Sequence, residues 1–387
     1  MSKPTVPVLP LDVIDNIIDI LFNDDTKSLP YVKAFSLTCQ SFLPLCRKHM
    51  FSSISIHIGD FFLNDEVRFL LDIARYVRRL NILIDHRYCK SECSFDQVSR
   101  QLTGLKSITI WCSSQWGSSM FWKDISSSAR CSLLSLIHLP TLTHLDLKQI
   151  HDFPISALIT CTNLKHLAVN GHLIADENDD ALSSVSHKPI QLEVFETTVT
   201  LTVLKLLASK CSDGRPVLDF TLLKKVLLVF KQHGTDQTGQ ILSGTQQLRD
   251  ISLTFLIGFG RMAIAEMVTP SLQTLKRLHL TFKGWSFTDP VSDLCDELNK
   301  ISGKNRLECI EIESDYLSLE MCGLEEVFLS SGWLMLKRVS LTVTIHVLEE
   351  NSPSTRIIES ALQERLPGLM SSKNFDFLFT VQEETKW

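Results

Sequence analysis

The sequence predicts an α/β chain: a short three-helix head followed by an irregular solenoid, with parallel strands on a concave face and helices outside. Three observations predict it. An apolar triplet at positions one, four and six recurs along most of the chain, segments of helical spacing lie between the triplets, and the first fifty residues carry three short apolar runs in place of triplets.

The head comes first. At helical spacing Val13, Ile14, Ile17, Ile18, Ile20 and Leu21 fill roughly half of the cylinder, against about 100° for an ordinary one-sided helix. Asp12, Asp15, Asn16 and Asp19 fill the rest. Pro10 suits a first turn, because its missing N–H has no partner to lose there, and early Asp12 and Asp15 complement the positive helix end. The run Asn23-Asp24-Asp25 stops the helix. Two further apolar runs, Tyr31 to Leu37 and Phe42 to Met50, predict two more short helices, with Pro30 and Pro44 near their starts. In the third, Cys46 reads as a buried thiol and His49 as a surface side chain. A unit this small buries little of its own surface, since below about 40 to 60 residues a single core is marginal. The apolar excess on the first helix therefore implies a partner surface, in this chain or another.

The order Leu9-Pro10, Asp12-Val13-Ile14, Ile17, Leu21, then Ser36-Leu37-Thr38-Cys39-Gln40-Ser41-Phe42 resembles an F-box, in the divergent form found among fungal F-box proteins with leucine-rich-repeat-like tails. The resemblance implies that Leu9, Pro10, Val13, Ile14, Ile17, Ile18 and Leu21 face a Skp-type adaptor, with Leu37, Thr38, Cys39 and Phe42 as a second contact cluster, and that the adaptor links the chain to a cullin. Phe42 stands where the family usually has Trp and Thr38 where it usually has Val. The resemblance covers residues 1–50. The competing reading of the same residues is a helical cap on the first edge of the repeat array, which solenoids require.

The repeats occupy 51–387. The triplets are Phe51/Ile54/Ile56, Val77/Leu80/Ile82, Leu105/Ile108/Ile110, Leu142/Leu145/Leu147, Leu164/Leu167/Val169, Leu223/Val226/Leu228, Leu248/Ile251/Leu253, Leu275/Leu278/Leu280, Leu307/Ile310/Ile312 and Leu336/Val339/Leu341. Leu192 and Phe195 begin a poorer member in which Thr197 takes the sixth place. The mean step is about 28 residues, within the 20 to 29 of leucine-rich repeats, and single steps run from 22 residues (Leu142 to Leu164) to 37 (Leu105 to Leu142). Helical spacing between triplets is clear in Val291, Leu294, Cys295, Leu298 and Ile301, and in Leu201, Leu204, Leu207 and Ala208. Regular leucine-rich repeats carry Asn or Cys three places after the triplet; Ser113, Ile150, His172 and Lys231 stand there instead. A helix around Ile357 to Leu366 and a last strand over Asn374 to Val381 complete the array. No Pro/Gly/Ser linker separates head from repeats, so the two are expected to be rigidly fused.

Composition bounds the function. A net charge of −6 gives no electrostatic reason for nucleic acid or an anionic membrane as partner, and no run approaches the roughly 20 apolar residues of a membrane span. Eleven cysteines without framework spacing fit reduced thiols, hence cytoplasm or nucleus. No phosphate-cradling Gly-rich loop, Gly-x-Ser-x-Gly elbow or His-Glu-x-x-His pair occurs, so no catalytic residue, cofactor or metal is assigned. His86, Cys89 and Cys93 lack a second ligand pair and read as an inter-repeat loop. Trp285, Trp333 and Trp387 read as packing residues.

Recognition is then expected on the strand face. Alternate residues of each strand point away from the core, which places Trp111, His144, Asp146, His166, Glu196, Asp250, Arg277, His279, Glu311 and Arg338 on a mixed-charge surface suited to a protein segment. The sequence thus predicts a non-catalytic substrate receptor of a Skp–cullin–F-box type ubiquitin ligase, with a repeat scaffold outside any ligase as the alternative.

Overall fold

Strand and helix alternate along most of the chain in the computed structural model. It describes residues 10–23, 29–58, 64–85, 96–113, 120–174, 188–198, 205–206, 209–210, 214–230, 242, 244–256, 263–283, 290–315, 322–347, 360 and 363–385. The chain divides into two compact units, Met1–Ile150 and His151–Trp387.

The first unit opens with three helices, α1 (Leu11–Asn23), α2 (Leu29–Ser36) and α3 (Leu43–Met50). The carbonyl of Pro10 accepts from the N–H groups of Val13 and Ile14 at 3.1 and 3.2 Å, so the proline sits at the mouth of α1. Pro44 occupies the first turn of α3, where a missing N–H costs nothing. Ile14, Ile18, Val32 and Cys46 form the core of the trio, with Phe35, Phe42, Leu45 and Met50 packed on it. His49 is buried rather than exposed, in contrast to the sequence expectation. The polar stripe of α1 turns toward α3, and the two imidazole nitrogens of His49 lie 3.2 Å from Asp15 and 3.3 Å from Asp19.

After α3 come β1 (Ser53–Ile58), α4 (Asn64–Ile73), β2 (Arg79–Asp85), α5 (Asp96–Gln101), β3 (Ser107–Ser113), α6 (Ser127–Ile137) and β4 (His144–Lys148). The four strands pair in parallel and in chain order, and their register aligns Ile56, Ile82, Ile110 and Leu147 in one row. Parallel neighbours need crossovers, and the helices supply them.

The second unit continues the pattern with β5 (His166–Asn170), β6 (Val194–Thr197), β7 (Lys225–Phe230), β8 (Asp250–Leu256), α7 (Ile264–Val268), β9 (Arg277–Lys283), α8 (Pro290–Ile301), β10 (Cys309–Ser314), α9 (Cys322–Leu329), β11 (Arg338–Val347), α10 (Pro367–Met370) and β12 (Asp376–Thr385). These strands too are parallel neighbours in chain order. One row runs Leu167, Phe195, Val226, Ile251, Leu278, Ile310, Val339, Phe377 and the next Val169, Thr197, Leu228, Leu253, Leu280, Ile312, Leu341, Phe379. The fourth- and sixth-position members of every triplet from β5 to β11 fall in these two rows. Thr197 is buried in its row, as the apolar members from Val169 to Leu341 are. A further apolar position, two residues beyond the triplet, carries Phe230, Phe255 and Phe282, whose rings stack at 5.2 and 5.4 Å.

The crossovers are less uniform than one helix per repeat. Between β4 and β5, the shortest step, a single 3₁₀ turn at Ile155–Leu158 replaces an α-helix, because 22 residues leave too little chain for one. Most of the segment 201–208 and half of 357–366 lie outside the described residues, and the helices expected there fall largely within those parts. Trp333 packs on Phe328 and donates its indole N–H to the Val327 carbonyl at 2.8 Å, as a packing residue should; Trp285 and Trp387 lie outside the described residues. Among the described residues no helix is long and apolar enough to cross a membrane.

Candidate functional site

Three surfaces carry the residues that the sequence marks out, two in the first unit and one in the second.

On the head, the wide apolar sector of α1 splits in two. Ile14 and Ile18 point inward and are fully packed by the trio itself, which removes them from the surface a partner can touch. Val13, Ile17 and Ile20 remain outside, 37, 40 and 65% exposed. Tyr31 of α2 and Leu37 just beyond it are exposed at 67 and 86%. Thr38 and Cys39 are also exposed, whereas Phe42 is half-buried and stacks on Phe35 with ring centres 4.9 Å apart. Leu9 and the Leu21 side chain lie outside the described residues. The α1–α3 contact beside this surface is polar. Lys48 pairs with Asp15 at 2.7 Å and holds its carboxyl below the usual range, with the His49 ring adding to the effect.

In the first unit's strand face, Trp111 is 47% exposed and donates its indole N–H to the Gln149 side chain at 3.3 Å. His144 is exposed and hydrogen-bonds Thr143 at 2.8 Å; Asp146 pairs with Lys148 at 3.1 Å.

The second unit's face is more organised. Asp250, Arg277, Glu311 and Arg338, all expected from strand alternation, line one groove of about 660 Å³ together with Arg249, Lys276, Glu308, Cys309, Lys337 and Asp376. Arg277 grips Asp250 through two parallel hydrogen bonds of 2.5 and 2.7 Å, a bidentate pair that raises the guanidinium pKa. His279 lies 3.4 Å from Glu313 and 4.0 Å from Glu311. Cys309 is half-buried; desolvation, with Glu311 beside it, pushes its thiol pKa up and makes it a poor nucleophile. His166 and Glu196 face each other at 3.6 Å on β5 and β6, outside the groove lining.

The charged residues that strand alternation did not anticipate occupy position two of the repeats, immediately after the first apolar member. From β5 to β11 they read Lys165, Glu193, Lys224, Arg249, Lys276, Glu308 and Lys337. This position precedes the strand, so the period-two argument does not reach it. The available signal was that every residue there is charged, of either sign. The backbone there is equally regular: the carbonyl of each from Lys165 to Glu308 accepts from two consecutive N–H groups of the next repeat, as Lys276 does from Glu308 and Cys309 at 2.8 and 3.0 Å, and that of Lys337 accepts from Asp376 at 2.8 Å. Each glutamate is clasped by two lysines. Glu193 meets Lys165 at 2.9 Å and Lys224 at 2.7 Å, and Glu308 meets Lys276 at 2.7 Å and Lys337 at 2.6 Å. The hydrogen bonds from these lysines pull both carboxyls down to about 2.

No cluster of three or more His, Cys, Asp or Glu suited to a metal ion occurs among the described residues. His86, Cys89 and Cys93 lie outside them. The arrangement is one of fixed charges on a rigid sheet, suited to binding.

No family model matches the chain, and no curated protein matches its sequence.

Proposed function

We propose that this chain is the substrate-recognition subunit of a Skp–cullin–F-box type ubiquitin ligase, a non-catalytic receptor acting in the cytoplasm or nucleus. The three helices α1–α3 serve as an F-box-like head, and the parallel strands with their crossovers form a leucine-rich-repeat-like solenoid whose strand face holds a protein substrate. The observation that carries this reading is the outer face of the head. A three-helix unit that buries Ile14 and Ile18 still leaves Val13, Ile17, Ile20, Tyr31 and Leu37 in water, and large apolar side chains exposed in such number on two short helices favour an interaction surface. Held by the head, the receptor raises the local concentration of a bound substrate near the charged enzyme without doing chemistry.

The test is co-expression of the full chain with a Skp-type adaptor, beside a Val13→Asp/Ile17→Asp variant. A one-to-one complex by size exclusion that the variant loses is expected, because each aspartate puts a charge into an apolar interface. A wild-type chain that stays alone, or a variant that binds as well, overturns the reading.

A second reading, a repeat scaffold with α1–α3 as its cap, draws on the direct passage from Met50 of α3 to Ser53 of β1 and on the edge-to-face contact of Phe51 with Phe69 at 5.7 Å. It expects removal of residues 1–50 to precipitate the first repeats; a receptor with a separable head expects a soluble array.

A further inference from the structure

The groove on β8–β12 has its charges sorted. Lys276, Glu308 and Lys337 satisfy one another, and Arg277 is locked to Asp250. Two cations that line it, Arg249 and Arg338, make no side-chain hydrogen bond or ion pair among the described residues, and both are exposed. They stand three strands apart, β8 to β11, and one register step apart along the strand. Adjacent strands are about 4.8 Å apart and each residue rises about 3.3 Å, so the two Cα atoms are separated by about 15 Å. In an extended peptide, residues i and i+4 project from the same side about 13 Å apart, a span that two arginine side chains close easily. On β10, one of the two strands that separate them and two residues beyond the Arg338 row, Glu311 offers a carboxylate 3.7 Å from the Cys309 thiol and 4.0 Å from the His279 ring.

We propose that this groove binds an extended acidic peptide laid across the strands, one side-chain carboxylate on Arg249, a second four residues on at Arg338, and a basic residue midway facing Glu311. The proposal rests on reading the strand face as the substrate surface, and it names the substrate class. The pattern also excludes a continuous polyanion. Asp250, Glu308, Glu311 and Asp376 share the lining, and they repel any ligand carrying negative charge at every step. Bidentate arginine–carboxylate pairing gives each end its direction.

The experiment uses the purified full chain without any adaptor and three fluorescein-labelled, serine-spaced peptides: Glu at i and i+4 with Lys at i+2; the charge-reversed peptide with Lys at i and i+4 and Glu at i+2; and one with Glu at i and i+3, which face opposite sides. Fluorescence anisotropy is expected to show the first bound at least tenfold more tightly than the other two, with affinity falling as salt rises. Arg249→Ala and Arg338→Ala are each expected to weaken the first peptide about tenfold. Neither side chain makes a hydrogen bond or ion pair among the described residues, so melting temperatures should match wild type and unfolding does not confuse the result. Equal binding of the reversed or i+3 peptide, arginine variants that bind as wild type does, or no binding at about 1 mM peptide overturns the proposal. The head plays no part in this measurement, so failure here with adaptor binding intact removes the peptide assignment alone, and loss of adaptor binding leaves it standing.

Discussion

Glu297 shows how much single side chains matter here. It sits on α8 at 4% exposure, accepts the Ala265 N–H at 2.7 Å at the start of α7, and is neutralised by Lys300. A carboxylate at a helix N-terminus satisfies an orphan donor and meets the positive end of the helix. Glu325 does the same for α10, accepting from Gly368 and Leu369 at 2.9 and 3.3 Å. Glu297→Ala leaves a buried N–H without its partner and should cost about 2 kcal/mol in urea unfolding, with Glu297→Gln recovering much of it; an alanine variant within 0.5 kcal/mol of wild type would contradict this. The twice-clasped Glu193 and Glu308 set a pH dependence. Their folded pKa values, about 2, lie below the ordinary carboxyl value of 4.5, so the stabilisation is complete above that value and disappears as pH falls toward 2. Replacing both by Gln should flatten the loss of stability between about pH 5 and pH 2, and added salt should shrink the difference, because the pairs are largely solvent-exposed.

At the scale of elements, α1 separates buried from exposed apolar side chains one residue apart. Ile18 has no exposed surface and Ile17 is 40% exposed. Ile18→Ala should cost about 2 to 4 kcal/mol through lost burial and the cavity it leaves. Ile17→Asp should leave the helices as protected as before, and hydrogen exchange over residues 11–23 reads both. Identical protection in the two variants would mean that the trio is not packed as described. This division also marks what periodicity can and cannot give. The half-cylinder of apolar residues was plain in the sequence, and so was the existence of three helices. Which half of that sector faced inward depended on where α2 and α3 lie, information spread over Val32, Phe35, Cys46 and Met50 rather than carried by α1. His49 is buried against expectation for the same reason: it faces Asp15 and Asp19, thirty-four and thirty residues earlier. The strands were far more legible, because a residue of a parallel sheet meets its counterpart one repeat away, and a triplet that recurs must align. The groove was half legible. Asp250, Arg277, Glu311 and Arg338 follow from alternation, whereas Arg249, Lys276, Glu308 and Lys337 precede their strands.

For the second unit as a whole, a sheet whose strands pair only with the next in sequence makes stability a matter of nearest neighbours. Phe255 is the sharpest place to test this. Its ring lies between Phe230 and Phe282 on adjacent strands, so Phe255→Ala removes a fully buried side chain and two stacking contacts, at a cost of about 3 to 5 kcal/mol. The loss should not spread evenly. Strands β7, β8 and β9 share the cavity, whereas β11 and β12 are tied to each other by a ten-residue register and to the damaged site only through β10. Hydrogen exchange should therefore quicken most at Val226–Phe230, Ile251–Phe255 and Leu278–Phe282, and least at Val339–Val343 and Phe377–Val381. The groove gives an independent reading of the same gradient. Arg249 adjoins the damaged strand and Arg338 lies three strands away, so the variant should weaken the Arg249 end of peptide binding more than the Arg338 end. A peptide carrying only its Arg338-facing glutamate should then bind wild type and Phe255→Ala within about twofold of each other. Uniform loss of protection across β7–β12 would show instead that the unit unfolds as one cooperative block, and that its repeats are coupled beyond their neighbours.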